Sequence, residues 1–178
     1  MGKYNTIRSD LWTDEEVRKL SLSGKLLYHY LLSSPLSNLA GFYRLPKMQI
    51  KTDLCRLDEN CDFASSDTKL FKDEILPTLK DEKKLWKYDD ETQQVFIPTY
   101  LKYNKVGGDK QLKAINTAIS TLTICPLHID FMYCLLTYVG TDVDMYIDRK
   151  IRVKVFDLAE KVDSEEATFV RNNLYIGA

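Results

Sequence analysis

The stretch KKLWKYDDETQQVFIPTYLKY, residues 83–103, decides how the first part of this chain folds. It contains two short apolar runs, at 85–88 and 95–97, separated by the acidic and polar segment DDETQQ. Short apolar runs on either side of a polar segment predict a β-hairpin. Pro98 follows the second run and ends regular strand pairing there, because proline has no N–H to donate to a neighbouring strand.

The residues before the hairpin predict a short amino-terminal helix. Thr13 and Glu16 have the spacing of a capping box, so we expect a helix that begins at Asp14. Trp12 lies just before this helix and Trp86 lies in the hairpin. Both are interpreted as anchors of the apolar core rather than as ligand-stacking groups.

A second, longer helix is predicted within SLSGKLLYHYLLSSP, residues 21–35. Ser21 or Ser23 can cap its amino end, and Pro35 ends it. His29 lies within this helix and is interpreted as a structural residue. Four apolar residues recur at helical spacing and are predicted to face the core: Leu26, Leu27, Tyr30 and Leu31.

A short strand and two helices are predicted between that helix and the hairpin. The strand covers residues 41–45, and Pro46 opens a helix because proline fits the first helical turn. The next helix is expected to begin near Ser66. Pro77 should kink it or end it early, since proline clashes with the carbonyl four residues before it. This helix is predicted to bury a stripe with a four-residue repeat: Phe71, Ile75 and Leu79.

The segment NKVGGD, residues 104–109, is the predicted linker, because adjacent glycines lower the cost of a bend. Asp109 is expected to cap a helix that runs to Leu122. A buried helix is predicted from Pro126 to Gly140. Between residues 142 and 162 the apolar positions fit either a strand or a helix, and the length of the segment favours the helix.

The predicted elements before the linker run in the order helix, strand, helix, helix, strand, turn, strand. This is the order of the winged helix, a helix-turn-helix variant in which a terminal hairpin, the wing, flanks the DNA-reading helix. The strand at 41–45 would pair beside the hairpin. We therefore predict a mainly α-helical protein with a winged-helix domain at residues 1–105 and a helical extension at residues 106–178.

The composition is that of a water-soluble globular protein. Of its 178 residues, 44% are apolar and 29% are charged. No apolar run approaches the roughly 20 residues that a membrane span needs. The amino terminus lacks the apolar core of a secretion signal. A cytoplasmic location without a membrane partner is therefore predicted.

The sequence predicts neither an enzyme nor a metal centre. The four cysteines form no C-x-x-C pair and the two histidines complete no zinc pattern, so free thiols and no cofactor are expected. Cys134 lies in an apolar run and is predicted to pack in the core. The chain also has no phosphate-cradling glycine loop and no nucleophile elbow.

The stretches LWTDEEVRKLSLSGKLLYHYLLSSP, LAGFYRLP and LWKYDDETQQVFIPTYLKYN carry a family resemblance. They resemble the amino-terminal domains of phage and prophage replisome organisers, which are replication-initiation proteins related to the DnaD-like primosome components. The resemblance covers about residues 4–127, including GGDKQLKAINTAISTL and the CPL after it. It implies that the winged helix binds DNA and self-associates. It also implies a helicase or helicase loader as a partner at a phage origin.

Two features depart from that family. Pro77 interrupts the helix that should read DNA. The chain also ends at residue 178, soon after CPL, which leaves little room for the usual carboxy-terminal domain that contacts DNA and helicase. A truncated organiser, a fragment and a relative with another task all stay open.

Contacts of Lys and Arg with phosphate should dominate the affinity if DNA is bound. The net charge of −1 requires a local patch, and the acidic turn DDET argues against insertion of the wing tip into a minor groove. Tyr100 and Tyr103 alternate with lysines, a pattern that suits the binding of single-stranded DNA. The alternative is that these tyrosines pack between the winged-helix domain and the helical extension. The predicted residues that bind double- or single-stranded DNA are Arg44, Lys47, Lys51, Lys69, Lys72, Lys80, Lys83, Lys84, Lys87, Lys102, Lys105, Lys110 and Lys113.

Two other functions stay open at this point. A transcriptional regulator with the same fold would need a palindromic operator and dimeric half-site spacing. A protein–protein scaffold within a primosome would show no DNA affinity even at low salt. The near-neutral net charge and the acidic wing tip favour the scaffold.

Overall fold

The computed structural model describes residues 7, 9–54, 71–81, 85–104, 106, 108–140 and 145–175, with the backbone alone at residues 80 and 81. Within these ranges the protein is mainly helical, with a small antiparallel sheet. A 3-10 helix, Ser9–Thr13, precedes α1, and a π-helical turn, Phe71–Ile75, precedes α4. The α-helices and strands are α1 (Glu15–Lys19), α2 (Leu22–Ser33), β1 (Phe42–Arg44), α3 (Lys47–Leu54), α4 (Leu76–Asp81), β2 (Lys87–Asp89), β3 (Gln94–Phe96), α5 (Tyr100–Tyr103), α6 (Asp109–Ser120), α7 (Leu127–Val139), α8 (Arg149–Ala159) and α9 (Glu165–Asn173).

The sheet confirms the predicted hairpin and its third strand. β2 and β3 pair antiparallel, with Lys87 opposite Phe96, and β1 pairs with the other edge of β3, with Phe42 opposite Phe96. The Asp89 carboxylate holds the hairpin turn by accepting hydrogen bonds from the backbone N–H and the hydroxyl of Thr92. The strand order is β1-β3-β2, with β3 in the centre.

Both faces of the sheet are covered by helices, which explains the unbroken apolar run at 95–97. On one face Tyr43 and Val95 join an apolar cluster built with α1, α2, α3 and the helical segment 71–81. On the opposite face Phe42 and Phe96 join a second cluster built with α5 to α9. Successive strand residues point to opposite faces, so a strand between two helical layers needs apolar side chains at every position.

The helical extension packs directly on the sheet. The ring centroid of Phe131 in α7 lies 5.6 Å from that of Phe42 and 5.9 Å from that of Phe96. Nε2 of Gln94 in β3 donates a hydrogen bond of 2.7 Å to the carbonyl of Thr123. The apolar cluster around Phe131 therefore combines residues from both sides of the boundary predicted at 105/106.

The first α-helix forms where it is predicted, but its cap is Asp14 rather than Thr13. The Asp14 carboxylate accepts hydrogen bonds from the backbone N–H groups of Glu16 and Val17. The Thr13 hydroxyl instead donates to the carbonyl of Asp10, inside the 3-10 helix. A carboxylate at this position also interacts favourably with the positive end of the helix dipole.

The predicted burial of two side chains is wrong. Trp12 is 57% exposed because its 3-10 helix lies at the surface, and Leu26 is 43% exposed on the outer side of α2. Trp86 is buried as predicted, and its indole N–H donates to the carbonyl of Leu79. Ser21 caps α2 through a hydrogen bond to the N–H of Gly24. The remaining predicted core residues of α2 are buried: Leu27, Tyr30 and Leu31.

The helical segment 71–81 passes through Pro77 instead of ending there. Its first part is the π-helical turn, and α4 continues from that turn. A π-turn bonds each N–H to a carbonyl five residues back, so it accommodates the bond that proline cannot make. The helix is therefore distorted before Pro77 but does not end there. The predicted start near Ser66 lies outside the described residues. The predicted core residues of this segment are buried: Phe71, Ile75 and Leu79.

The extension contains the predicted helices α6 and α7, and it resolves the ambiguous segment as the helix α8. Asp109 is not the cap of α6, because Gly108 occupies that position and Asp109 is the first helical residue. The helix α9 is not predicted. Ser164 caps it by accepting a hydrogen bond from the N–H of Ala167. No helix in the described ranges is long and apolar enough to cross a bilayer.

Candidate nucleic-acid interface

The structure describes only part of the predicted DNA-binding set. Four residues lie outside the described ranges: Lys69, Lys83, Lys84 and Lys105. Lys80 is described only in its backbone. The side chains that can be placed are Arg44, Lys47, Lys51, Lys72, Lys87, Lys102, Lys110 and Lys113.

Lys87, at the base of the wing, is engaged with the extension. Its Nζ lies 2.5 Å from the carboxylate of Asp130 in α7. Burial raises the pKa of Asp130, and the charge of Lys87 opposes that rise. Lys87 therefore ties β2 to α7, and its charge is already matched by a carboxylate within the protein.

The start of α3 is neutralised in a similar way. Lys47 forms an ion pair with Asp90 at the wing tip, and its Nζ lies 5.9 Å from the ring centroid of Tyr88. Arg44 is exposed at the end of β1, and Lys51 is half-buried on α3. The start of α3 was expected to attract phosphate. The acidic wing tip instead places a negative charge beside it.

The exposed side chains in the described part of the expected DNA-reading helix carry a net negative charge. Between residues 71 and 79, its exposed charged side chains are Lys72, Asp73 and Glu74. The Glu74 carboxylate accepts a hydrogen bond from the hydroxyl of Ser23 in α2. Two carboxylates beside Lys72 would repel a phosphate backbone at short range.

Of the two tyrosines near the predicted linker, one packs against the protein and the other is exposed. Tyr100 is half-buried and lies against Gly41, where a Cβ atom would stand 2.4 Å from the Cβ of Tyr100. Tyr103 is exposed, and Nζ of Lys102 lies 5.4 Å from its ring centroid. Of the two tyrosines, Tyr103 has the more accessible ring for a stacked base.

Exposed cations occur on two neighbouring helices of the extension. Lys110 and Lys113, two of the predicted DNA-binding residues, are exposed on α6. Arg149 and Lys150 are exposed in the first turn of α8 and were not among the predicted residues. The signal that identifies them is the run DRKIRVK, in which two adjacent cations follow directly after the helix cap.

An exposed apolar strip is formed by Leu22 and Leu26 on α2 and by Trp12 on the preceding 3-10 helix. Leu22 is 85% exposed. Leu26 lies four positions further along α2, so both side chains are on one face of the helix. The ring centroids of Trp12 and His29 are 4.5 Å apart. Large contiguous exposed apolar patches are typical of protein association sites. We call it the α2 apolar strip.

A cavity of about 260 Å³ lies beside the amino-terminal 3-10 helix. Its polar lining includes the carboxylates of Asp10 and Asp14 and the tyrosines Tyr28, Tyr100 and Tyr103. The hydroxyl of Tyr28 lies 3.1 Å from that of Thr99. Carboxylates at the wall would repel a phosphate group inside this cavity.

A cysteine and a histidine meet at the boundary between β3 and α7, but they do not form a reactive pair. Nδ1 of His128 accepts a hydrogen bond of 3.2 Å from the backbone N–H of Cys125 and lies 3.7 Å from its Sγ. Burial raises the pKa of the Cys125 thiol and lowers the pKa of His128 to about 4. Both groups are neutral near pH 7, so no thiolate nucleophile forms. The described residues contain no cluster of three metal-ligating side chains.

No family model, curated protein or solved structure matches this chain.

Proposed function

We propose that this protein is a winged-helix DNA-binding protein of phage-type replication initiation, related in role to the replisome organisers. The main support for this proposal is the order of the helices and strands along the chain. α2, β1, α3, the helical segment 71–81, β2 and β3 follow one another as in a winged helix. The central position of β3, with β1 and β2 at its edges, also supports this fold.

The charge distribution argues against reading of base edges by the wing tip or by the expected reading helix. The wing tip is acidic, and the described part of the expected reading helix carries two carboxylates beside Lys72. Cations that contact phosphates provide affinity without sequence discrimination. A protein that assembles at an origin needs such affinity together with self-association and a helicase or helicase-loader partner.

The α2 apolar strip supports self-association. A second copy of the chain is its proposed occupant, since the organisers that the chain resembles self-associate through this domain. Leu22, Leu26 and Trp12 are exposed, and the Trp12 ring lies beside that of His29 on α2. Tryptophan is among the residue types that contribute most of the binding energy of an interface, and Trp12 is the exposed tryptophan of this strip.

DNA binding is tested by fluorescence anisotropy with labelled duplex and single-stranded oligonucleotides of unrelated sequence. We expect binding at low salt with little dependence on sequence. Tight binding to one palindromic sequence alone would identify a regulator instead. A lack of binding to every oligonucleotide at low salt would reject the DNA-binding proposal.

A primosome scaffold that binds no DNA is the second candidate. The pairing of Lys47 with Asp90 and of Lys87 with Asp130 favours it, because both ion pairs remove predicted phosphate contacts. The exposed α2 apolar strip also suits a protein partner. The two candidates differ in one respect that can be measured, which is DNA affinity at low salt.

A further inference from the structure

We infer that the cavity between the amino-terminal 3-10 helix, α2 and α5 binds an organic cation with a guanidinium head group on a short alkyl stem. We call it the amino-terminal cavity. This binding does not depend on the proposed DNA-binding function. The volume of the cavity is about 260 Å³, slightly below the roughly 300 to 1,000 Å³ of typical small-molecule sites. It therefore has room for a compact ligand or for a single side chain.

The inner wall of the cavity offers an apolar surface for an alkyl stem. Leu11 of the 3-10 helix and Leu32 of α2 both line it and are half-buried. Tyr28 of α2 is buried beside them, with its ring stacked on that of Trp86 at a centroid distance of 5.7 Å. Its hydroxyl is held by Thr99. This part of the wall is therefore fixed by contacts with the core.

Two further tyrosine rings line the cavity on α5. Tyr100 packs against Gly41 and is half-buried, whereas Tyr103 is 40% exposed. They are three residues apart, so both are on one side of α5. Nζ of Lys102 lies 5.4 Å from the ring centroid of Tyr103, so a cation of this chain already uses that ring. Tyrosine faces attract cations, and the planar guanidinium stacks on them.

The polar atoms of the lining include two hydrogen-bond acceptors that lack partners. Oδ1 of Asp14 accepts both cap hydrogen bonds of α1, and its Oδ2 accepts none from the described residues. Nδ2 of Asn104 donates to the carbonyl of Tyr100, and its Oδ1 has no donor within the described part of the chain. The hydroxyl of Thr13 is already used, because it donates to the carbonyl of Asp10. A guanidinium group only donates, so it matches this lining.

The charge of the lining favours a cation over a neutral ligand of the same shape. Its described residues include the carboxylates of Asp10 and Asp14 and no lysine, arginine or histidine. Asp10 already has an interaction within the chain, so Asp14 is the carboxylate assigned to the ligand. Burial raises the pKa of Tyr28 and of Tyr100, so both phenols are neutral at pH 7. A hydrogen bond between a guanidinium and the Asp14 carboxylate would be charge-assisted.

Binding is measured by isothermal titration calorimetry of the full chain with n-butylguanidinium at pH 7. The matched control ligand is n-butylurea, which is neutral and has nearly the same shape. We expect saturable binding of n-butylguanidinium and at least about tenfold weaker binding of n-butylurea. Equal binding of the two compounds would overturn the inference. So would a lack of binding up to about 20 mM n-butylguanidinium, where even a very weak complex forms.

Asp14→Asn tests the carboxylate without removing the helix cap, because asparagine caps helices about as well as aspartate. We expect it to weaken the binding of n-butylguanidinium on the order of tenfold. Glu15→Gln is the matched control, since it removes an exposed carboxylate one residue away that does not line the cavity. It should change the affinity by less than about twofold. Equal losses in the two variants would show unspecific charge attraction instead of a site.

Tyr103→Leu tests the aromatic wall, since it removes the ring and keeps an apolar side chain. We expect a loss of about two- to fivefold. Lys102→Gln removes the cation that competes for the same ring, so affinity should be unchanged or higher. A clear loss in Lys102→Gln, or none in Tyr103→Leu, would contradict the role of this ring. Far-UV circular dichroism and urea unfolding establish that each variant folds.

A last titration distinguishes a free cation from an arginine side chain of a partner protein. Nα-acetylarginine methylamide carries the same head group on a peptide unit. Tighter binding of this compound than of n-butylguanidinium identifies an arginine side chain as the occupant, and the reverse order identifies a free cation. No DNA enters these titrations, so their failure would leave the DNA-binding proposal standing.

Discussion

His128 makes the stability of the fold depend on pH. It is fully buried, its ring centroid lies 4.6 Å from that of Phe42, and its Nε2 has no hydrogen-bonding partner among the described residues. Folding lowers its pKa from 6.5 to about 4. Above the unfolded pKa the imidazole is neutral in both states. As the pH falls from 6.5 towards 4, the unfolded chain binds a proton that the folded state does not, so the free energy of unfolding falls.

Urea unfolding at pH 7 and pH 4.5 measures this contribution. We expect His128→Gln to flatten the loss of stability between these pH values, by on the order of 2 to 3 kcal/mol. His29→Gln is the matched control, because it removes the other histidine from a half-exposed position. An unchanged pH dependence in His128→Gln would contradict the role of the buried ring.

Gly41 is required by both its backbone angle and its surroundings. Its φ of +62° lies in the left-handed region, and an added Cβ would stand 2.4 Å from the Cβ of Tyr100. We expect Gly41→Ala to destabilise the protein by more than about 2 kcal/mol in urea unfolding. Gly24→Ala is the control, since Gly24 is helical, has no positive φ, and would place its added Cβ 3.3 Å from the nearest atoms. Equal effects of the two substitutions would contradict the requirement for glycine at position 41.

At the scale of elements, the cap of α1 distinguishes the observed helix start from the predicted one. Asp14 accepts two backbone hydrogen bonds, whereas Thr13 bonds within the preceding 3-10 helix. We expect Asp14→Ala to lower the free energy of unfolding by about 1 kcal/mol and Thr13→Ala by distinctly less. Urea unfolding of both variants checks this order. A larger effect of Thr13→Ala would instead support the predicted capping box of Thr13 and Glu16.

The elements that the sequence predicts best are those with a strong local signal. The hairpin has two apolar runs and a polar turn, and α2 has a serine cap, a continuous apolar stripe and Pro35. α9 escapes prediction because only Ala167 and Val170 of its residues are buried, which gives a weak periodic pattern. Leu26 and Trp12 are predicted as core because hydrophobicity alone does not indicate which side of an element is covered.

The candidate site is less predictable than the fold because it depends on long-range pairing. Cationic residues can be identified in the sequence, but Lys87 is paired with a carboxylate 43 residues away. The ion pair between Lys47 and Asp90 likewise joins α3 to the wing tip. Which lysines stay available for phosphate follows from packing. Arg149 and Lys150 follow Asp148, whose backbone N–H donates to Asn116 of α6, a contact that the sequence does not reveal.

At the scale of the whole molecule, the two helical layers should unfold together, because they share the sheet. Phe131 lies in the cluster on one face, and Trp86 lies in the cluster on the other. We expect Phe131→Ala to destabilise the protein by about 3 to 5 kcal/mol. The loss should appear equally in far-UV circular dichroism and in Trp86 fluorescence, measured in a Trp12→Phe background.

Tyr138→Ala is the matched control for that experiment, because Tyr138 lies on the same helix with an exposed side chain. It should change stability by less than about 1 kcal/mol. Two separate transitions in Phe131→Ala, with Trp86 unfolding at the unmodified urea midpoint, would show instead that the layers are independent domains.

The most direct test of DNA binding through phosphate contacts is the salt dependence of duplex affinity for the unmodified protein. We expect log affinity to fall linearly with log salt, with a slope of about −0.9 for each phosphate that the protein neutralises. A slope near zero, or no binding at about 0.05 M salt, would contradict the account and leave the protein-interaction scaffold as the better description.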